Sequence, residues 1–89
     1  MFKMWGKIVQ SRKILRDEVI SLEIDDTRTH KILSALDHIC NAFDLSRPIW
    51  LDRNVSEFKR YGRTRFTQDC FIESIDFDYL EISILEETD

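Results

Sequence analysis

The sequence predicts a small α+β domain, with a mostly antiparallel sheet carrying one long helix on one face and the element order β-β-α-β-α-β-β. Residues 27–43 have apolar side chains at the spacing of one helical face. Segments before and after them alternate between apolar and polar residues, as half-buried strands do. The 89 residues suffice for one domain, spanning residues 1–89.

The first part of the chain predicts a β-hairpin. Residues 5–10 have strand-like composition, and residues 19–24 alternate, with Ile20, Leu22 and Ile24 on one face. We place the connecting turn within residues 14–18. That segment lacks the Asn-Gly or Asp-Gly pair typical of a two-residue turn, so the register of the hairpin stays open.

The long helix follows. Asp26 and Thr27 can accept hydrogen bonds from the free amides of its first turn. Its apolar stripe is formed by Ile32, Leu33, Leu36, Ile39, Cys40 and Phe43. Leu36 and Ile39 lie in the middle of this stripe, and we expect them at the centre of the helix–sheet contact.

The second half of the chain is divided into shorter elements. Pro48 cannot extend the helix, and the apolar residues 49–51 predict a short buried strand. Asn54 is predicted to be the N-cap of a second helix, with Glu57 completing a capping box, and Gly62 suits the left-handed residue that ends it.

Two strands are predicted near the C-terminus. Residues 63–66 can begin one strand, and residues 78–85 form another, with Leu80, Ile82 and Ile84 on one face. Between them, residues 67–72 are compatible either with one helical turn capped by Thr67 or with an extended segment.

Charge is segregated along the chain. Residues 1–16 contain five basic and no acidic residues, residues 47–65 contain six basic and two acidic residues, and residues 69–89 contain eight acidic and no basic residues. Opposite charges on neighbouring strands stabilise a sheet, so we expect the acidic last strand to lie beside a basic one. The alternative is a charged face that binds a partner.

Metal, cofactor and membrane sites are not expected. The residues His30, His38, Cys40 and Cys70 lack the paired spacings of zinc sites, and we interpret both cysteines as buried free thiols. No segment predicts a signal peptide or a membrane span. These features favour a soluble cytoplasmic protein.

Two patterns suggest specific chemistry. Residues 53–66 combine basic and aromatic side chains, a mixture suited to single-stranded nucleic acid, and the candidate contacts are Arg53, Lys59, Arg60, Tyr61, Arg63 and Arg65. Asp76 and Asp78 would point the same way in a strand, ~7 Å apart, as in a hydrolytic or metal-assisted enzyme. We interpret this acidic pair as solvated strand-end residues.

The chain resembles a group of short clostridial-type bacterial proteins of unknown function. The resemblance rests on Trp5-Gly6-Lys7, on Pro48-Ile49-Trp50-Leu51 with Asn54 and Glu57-Phe58, on Arg65-Phe66, and on residues 75–82. It covers most of the chain. It implies a bacterial cytoplasmic protein and carries over no activity, cofactor or site residue.

Protein–protein association is the function that the sequence favours. It contains no Gly-rich phosphate loop, no metal-ligand spacing and no nucleophile–base pair, so we do not expect an enzyme. Aromatic residues such as Trp5, Trp50 and Phe77 exceed what one helix can cover. The partner is therefore predicted to be another protein or a second copy, with a symmetric homodimer preferred. Nucleic-acid binding is the alternative, and an enzyme using Asp76 and Asp78 is the third hypothesis.

Overall fold

The computed structural model describes residues 1–88 and has the predicted α+β class, with a four-stranded antiparallel sheet and two α-helices. The elements are β1 (Phe2–Gln10), β2 (Lys13–Leu22), α1 (Arg28–Ala42), α2 (Asp52–Tyr61), β3 (Arg63–Phe66), a 3₁₀ turn (Gln68–Cys70) and β4 (Tyr79–Glu87). The strand order across the sheet is β2-β1-β4-β3. The observed element order therefore has one strand fewer than predicted, and two helices rather than one contribute to the core.

The hairpin turn lies earlier than predicted. Gln10 pairs with Lys13, and the two residues between them, Ser11 and Arg12, have φ angles of 51° and 66°. Such angles suit a two-residue hairpin turn, although Asn or Gly usually supplies them. The Ser11 N–H donates to the carboxylate of Asp78 at 2.8 Å, which helps to hold this conformation. Residues 14–18 therefore continue β2 rather than forming its turn.

Helix α1 confirms the predicted apolar stripe. The Thr27 side chain accepts a hydrogen bond from the His30 N–H and caps the helix. Leu36 and Ile39 are fully buried at the contact with the sheet. Gly6 of β1 lies beneath α1, and a Cβ atom there would be only 2.5 Å from Cγ2 of Ile39. The absence of a side chain at this position is what lets the helix approach β1 so closely.

The N-cap of helix α2 lies three residues before the predicted one. Its N-cap is Leu51, and Asn54 is the third helical residue, whose Oδ1 accepts from the Leu51 N–H at 3.0 Å. Asn54 is fully buried, and its Nδ2 donates to Thr64 Oγ1 at 2.9 Å and to the Arg65 carbonyl at 3.0 Å. It therefore joins α2 to β3. Gly62 ends the helix in the left-handed conformation, as predicted.

The predicted strand at residues 49–51 is absent. Ile49 is 47% exposed rather than buried. Trp50 instead packs edge-to-face on Phe58 of α2 and Phe66 of β3, with ring centroids 5.6 Å and 5.1 Å apart. Trp50 therefore belongs to a cluster of aromatic rings, and the segment forms no strand ladder.

The C-terminal strands follow the prediction closely. Strand β3 covers residues 63–66, and β4 begins at Tyr79 and runs two residues beyond the predicted end. The segment left open between them forms a short 3₁₀ turn at Gln68–Cys70, preceded by Thr67. Among the described residues, no helix combines the length and apolar character that spanning a membrane requires.

Candidate functional site

The sheet has an inner face under the helices and an opposite face that we call the open face. Alternate residues of a strand point to opposite faces. Because Gly6 faces α1, its neighbours Trp5 and Lys7 lie on the open face. Strand pairing places Glu81 of β4 beside Lys7 and places Arg65 of β3 beside Glu81. Three strands thus align charged side chains across the open face.

The charged side chains of this row form ion pairs with one another. Lys7 Nζ lies 2.9 Å from Glu81 Oε2, and Arg65 Nε lies 2.8 Å from Glu81 Oε1. Burial opposes ionisation of Glu81, but the hydrogen bonds from Arg65 and Lys7 outweigh that effect and lower its pKa. The acidic last strand does pair with basic neighbours, as the charge pattern predicted. The two cations are consequently engaged within the chain.

The aromatic rings of the open face are also covered by cations of this chain. Lys7 Nζ lies 4.0 Å from the ring centroid of Trp5, and the Arg65 guanidinium lies 4.5 Å from that of Tyr79. The Trp5 indole donates to Asp17 of β2 at 2.9 Å. Both rings are half-buried, so the open face presents few free stacking surfaces.

The structure does not gather the predicted nucleic-acid contacts into one surface. Arg65 is held by Glu81, and Arg53 makes a two-pronged ion pair with Asp69, at 2.9 Å and 3.0 Å. The hydrogen bond from Arg53, aided by one from Thr67, holds the pKa of Asp69 well below its usual range. Two of the six candidate residues are therefore structural ion-pair partners.

Three other candidates do lie together at the end of α2. The guanidinium groups of Arg60 and Arg63 lie 5.5 Å and 5.6 Å from the ring centroid of Tyr61, which is exposed. Neither arginine has an ion pair within residues 1–88. Lys59, the sixth candidate, borders a groove between the two helices.

The acidic pair does not have the strand geometry on which the enzyme hypothesis depends. Asp76 and Asp78 lie in the segment before β4. Asp78 is used structurally, since its carboxylate accepts from Ser11 and its N–H donates to the Val9 carbonyl at 3.0 Å. Within the described chain, no group of three His, Cys, Asp or Glu residues is arranged to hold a metal ion.

Both cysteines are free and buried, as predicted. Burial raises the pKa of the Cys40 thiol to about 11 and also raises that of Cys70. Thiols with raised pKa values stay protonated at neutral pH and are poor nucleophiles.

The feature that sequence reasoning missed is the free edge of β2. Every residue from Lys13 to Val19 is exposed, including three large aliphatic side chains: Ile14 (51%), Leu15 (53%) and Val19 (47%). Strand β2 pairs with β1 alone, and within residues 1–88 no other strand pairs with its outer edge. The sequence signal of this edge is the aliphatic pair at residues 14–15, within the segment predicted to form the turn.

Comparison of the chain with protein-family models, curated proteins and solved structures found no match. The resemblance to short clostridial-type proteins thus stays a prediction.

Proposed function

We propose that this chain is a protein-association module and that the outer edge of β2 is its binding element. One observation carries the proposal: a ten-residue edge strand, paired on one side, exposes three large aliphatic side chains. An unpaired strand edge is a template for another strand, because its backbone donors and acceptors have no partner in the sheet. Main-chain hydrogen bonds would supply affinity, and the aliphatic side chains would supply apolar contact.

A second copy of the chain is the partner that best matches the charges of β2. Lys13 and Arg16 precede Asp17 and Glu18 along the strand. Antiparallel pairing of two copies around a two-fold axis near Leu15 and Arg16 sets Lys13 of each strand beside Glu18 of the other. Parallel pairing would bring like charges together.

Sedimentation equilibrium over a wide range of concentration tests this proposal. We expect the wild type to form a dimer at high concentration and Leu15→Lys to remain monomeric, because a charge at the strand edge opposes pairing. Leu85→Lys is the matched control, since Leu85 is 52% exposed but lies on the central strand β4. A monomeric wild type at every concentration would contradict the proposal. Equal weakening of the dimer by both variants would assign association to a different surface.

Single-stranded nucleic-acid binding is the second candidate function. Exposed Tyr61 between the unpaired Arg60 and Arg63 favours it, since a ring can stack on a base while the arginines contact phosphates. The net charge of −4 opposes it. The double variant Arg60→Ala/Arg63→Ala should abolish salt-dependent binding to a mixed oligonucleotide, whereas Arg53→Ala should not. Absence of wild-type binding at low salt would exclude this function.

The buried thiols also bear on location. Cys40 and Cys70 are unpaired, which is typical of a reducing compartment. We propose a cytoplasmic location, which the two free thiols support.

A further inference from the structure

Strand β2 contains one residue more than β1 can pair. Ile14 pairs with Val9, and Arg16 pairs with Ile8. Leu15 between them has no partner on β1 and is therefore the extra residue of a β-bulge, which shifts the alternation of side chains by one position. Leu15 and Arg16 both line a cavity that includes the core residue Ile8. Two consecutive side chains of β2 thus lie on the inner face of the sheet.

The bulge brings two opposite charges of β2 onto one face. Lys13 and Glu18 are five residues apart, and in a regular strand that spacing points side chains to opposite faces. In this strand Glu18 pairs with Gly6, which faces α1. Lys13 pairs with Gln10, four residues further along β1 and thus on the same inner face. Side chains meet across two strands only when they share a face, so Lys13 and Glu18 are suited to pair between two copies.

We propose that the bulge at Leu15 sets the register in which β2 pairs and thereby selects a second copy of the chain as its partner. This inference rests on the proposed association through β2. With the two-fold axis beside Leu15, Lys13 lies opposite Glu18 of the other copy on the inner face. Ile14 lies opposite Asp17 of the other copy on the open face, because both residues pair with open-face residues of β1.

The backbone of β2 imposes the same restriction on its partner. The outward-pointing N–H and C=O groups of a strand alternate along it, and an extra residue moves them out of phase by one position. A regular strand can therefore follow β2 on one side of Leu15 but not on both. A second copy has an equal extra residue at the same distance from the two-fold axis, so the two strands stay in phase from Lys13 to Glu18.

Disulfide cross-linking between two variants of the full chain measures this register. Lys13→Cys mixed with Glu18→Cys should form a cross-linked dimer, because directly opposite residues have the separation that a disulfide requires. Either variant alone should not cross-link, since its two cysteines would lie five residues, or ~17 Å, apart along the paired strands. Cys40 and Cys70 are buried, so the wild type provides the blank.

A change of chain length separates the role of the bulge from that of the leucine side chain. Glu18→Cys is combined either with deletion of Leu15 or with Leu15→Ala, and each double variant is mixed with Lys13→Cys. The deletion should fold, because Ile14 and Arg16 then alternate regularly opposite the residues that they already face. It should lower the cross-link yield severalfold, since only one strand of the pair keeps the extra residue, whereas Leu15→Ala should lower it much less.

The results that overturn this inference differ from those that overturn the association itself. Equal yields with the deletion and with Leu15→Ala would show that the bulge does not set the register. Cross-linking of Val19→Cys with itself, and none between positions 13 and 18, would place the two-fold axis elsewhere on β2 while the association stands. A wild type that stays monomeric in sedimentation equilibrium would refute the association and this inference together.

Discussion

Replacing Gly6 by Ala tests how closely α1 packs on β1. The added Cβ would lie 2.5 Å from Cγ2, 2.8 Å from Cδ1 and 3.1 Å from Cγ1 of Ile39. Carbon atoms in contact are ordinarily separated by ~3.5–4.0 Å. Ile39 is fully buried, so its side chain can move only if neighbouring core residues move as well. Either the helix must shift away from the strand or the side chain must leave its rotamer.

The expected cost of Gly6→Ala is about 1–3 kcal/mol, the usual range for overpacking a core. Urea denaturation followed by circular dichroism measures it, and the melting temperature should fall by roughly 4–8 °C per kcal/mol. Ile39→Ala alone should cost about 2–5 kcal/mol because it leaves a cavity. In the double variant the clash disappears, since Ile39→Ala removes all three atoms that the new Cβ would meet.

A double-mutant cycle of Gly6→Ala and Ile39→Ala measures how much of the cost comes from contact between these two positions. In the Ile39→Ala background, Gly6→Ala should cost at least ~1 kcal/mol less than in the wild type. Effects of alanine on the unfolded chain and on strand propensity are the same in both backgrounds and cancel. An equal cost in the two backgrounds would show that Ile39 does not cover Gly6 and would refute the described packing of α1.

Three further substitutions probe the core and the open face. Leu36→Ala should cost about 2–5 kcal/mol in urea denaturation, and a melting temperature close to that of the wild type would contradict its central position. Asn54→Ala should cost about 2–4 kcal/mol, more than a helix cap, because buried partners in α2 and β3 lose their hydrogen bonds. Glu81→Gln should cost about 1–3 kcal/mol at neutral pH. Because the folded-state pKa of Glu81 is lowered, its stabilisation is lost as the pH falls through that value, so the difference from the wild type should shrink in acid. A difference that is independent of pH would contradict the role of the Glu81 carboxylate.

The sequence was most informative where a structural signal is local and repeated. The apolar stripe of α1 extends over several helical turns, and its predicted centre, Leu36 and Ile39, is fully buried. Strand β4 was recognised from the alternation of Leu80, Ile82 and Ile84. Both patterns are formed by residues close together in the sequence, so they can be recognised without knowledge of the tertiary structure.

Elements that depend on distant residues were misassigned. The turn at Ser11 and Arg12 uses left-handed conformations that are held in part by Asp78, a residue far along the chain. Asn54 matches the sequence pattern of an N-cap. In the structure it lies inside α2, and its side chain donates hydrogen bonds to Thr64 and Arg65 of β3. Tertiary contacts therefore determined both the turn and the helix start.

The candidate sites also depend on contacts between residues that are distant in the sequence. Composition identified basic residues at 53 and 65 but could not show that Asp69 and Glu81 neutralise them. The exposure of β2 follows from the strand order of the sheet, which no local pattern specifies. The binding surface proposed on the β2 edge is consequently a product of the tertiary structure.

Amide hydrogen exchange of β2 at low and high protein concentration tests most directly the claim that this strand pairs with a second copy. In the monomer, the amides of Lys13–Leu22 that point away from β1 should exchange rapidly. At concentrations where the dimer forms, these same amides should become protected, while protection of the central strands β1 and β4 stays constant. Equally rapid exchange of the outward-pointing β2 amides at both concentrations would contradict pairing through this edge.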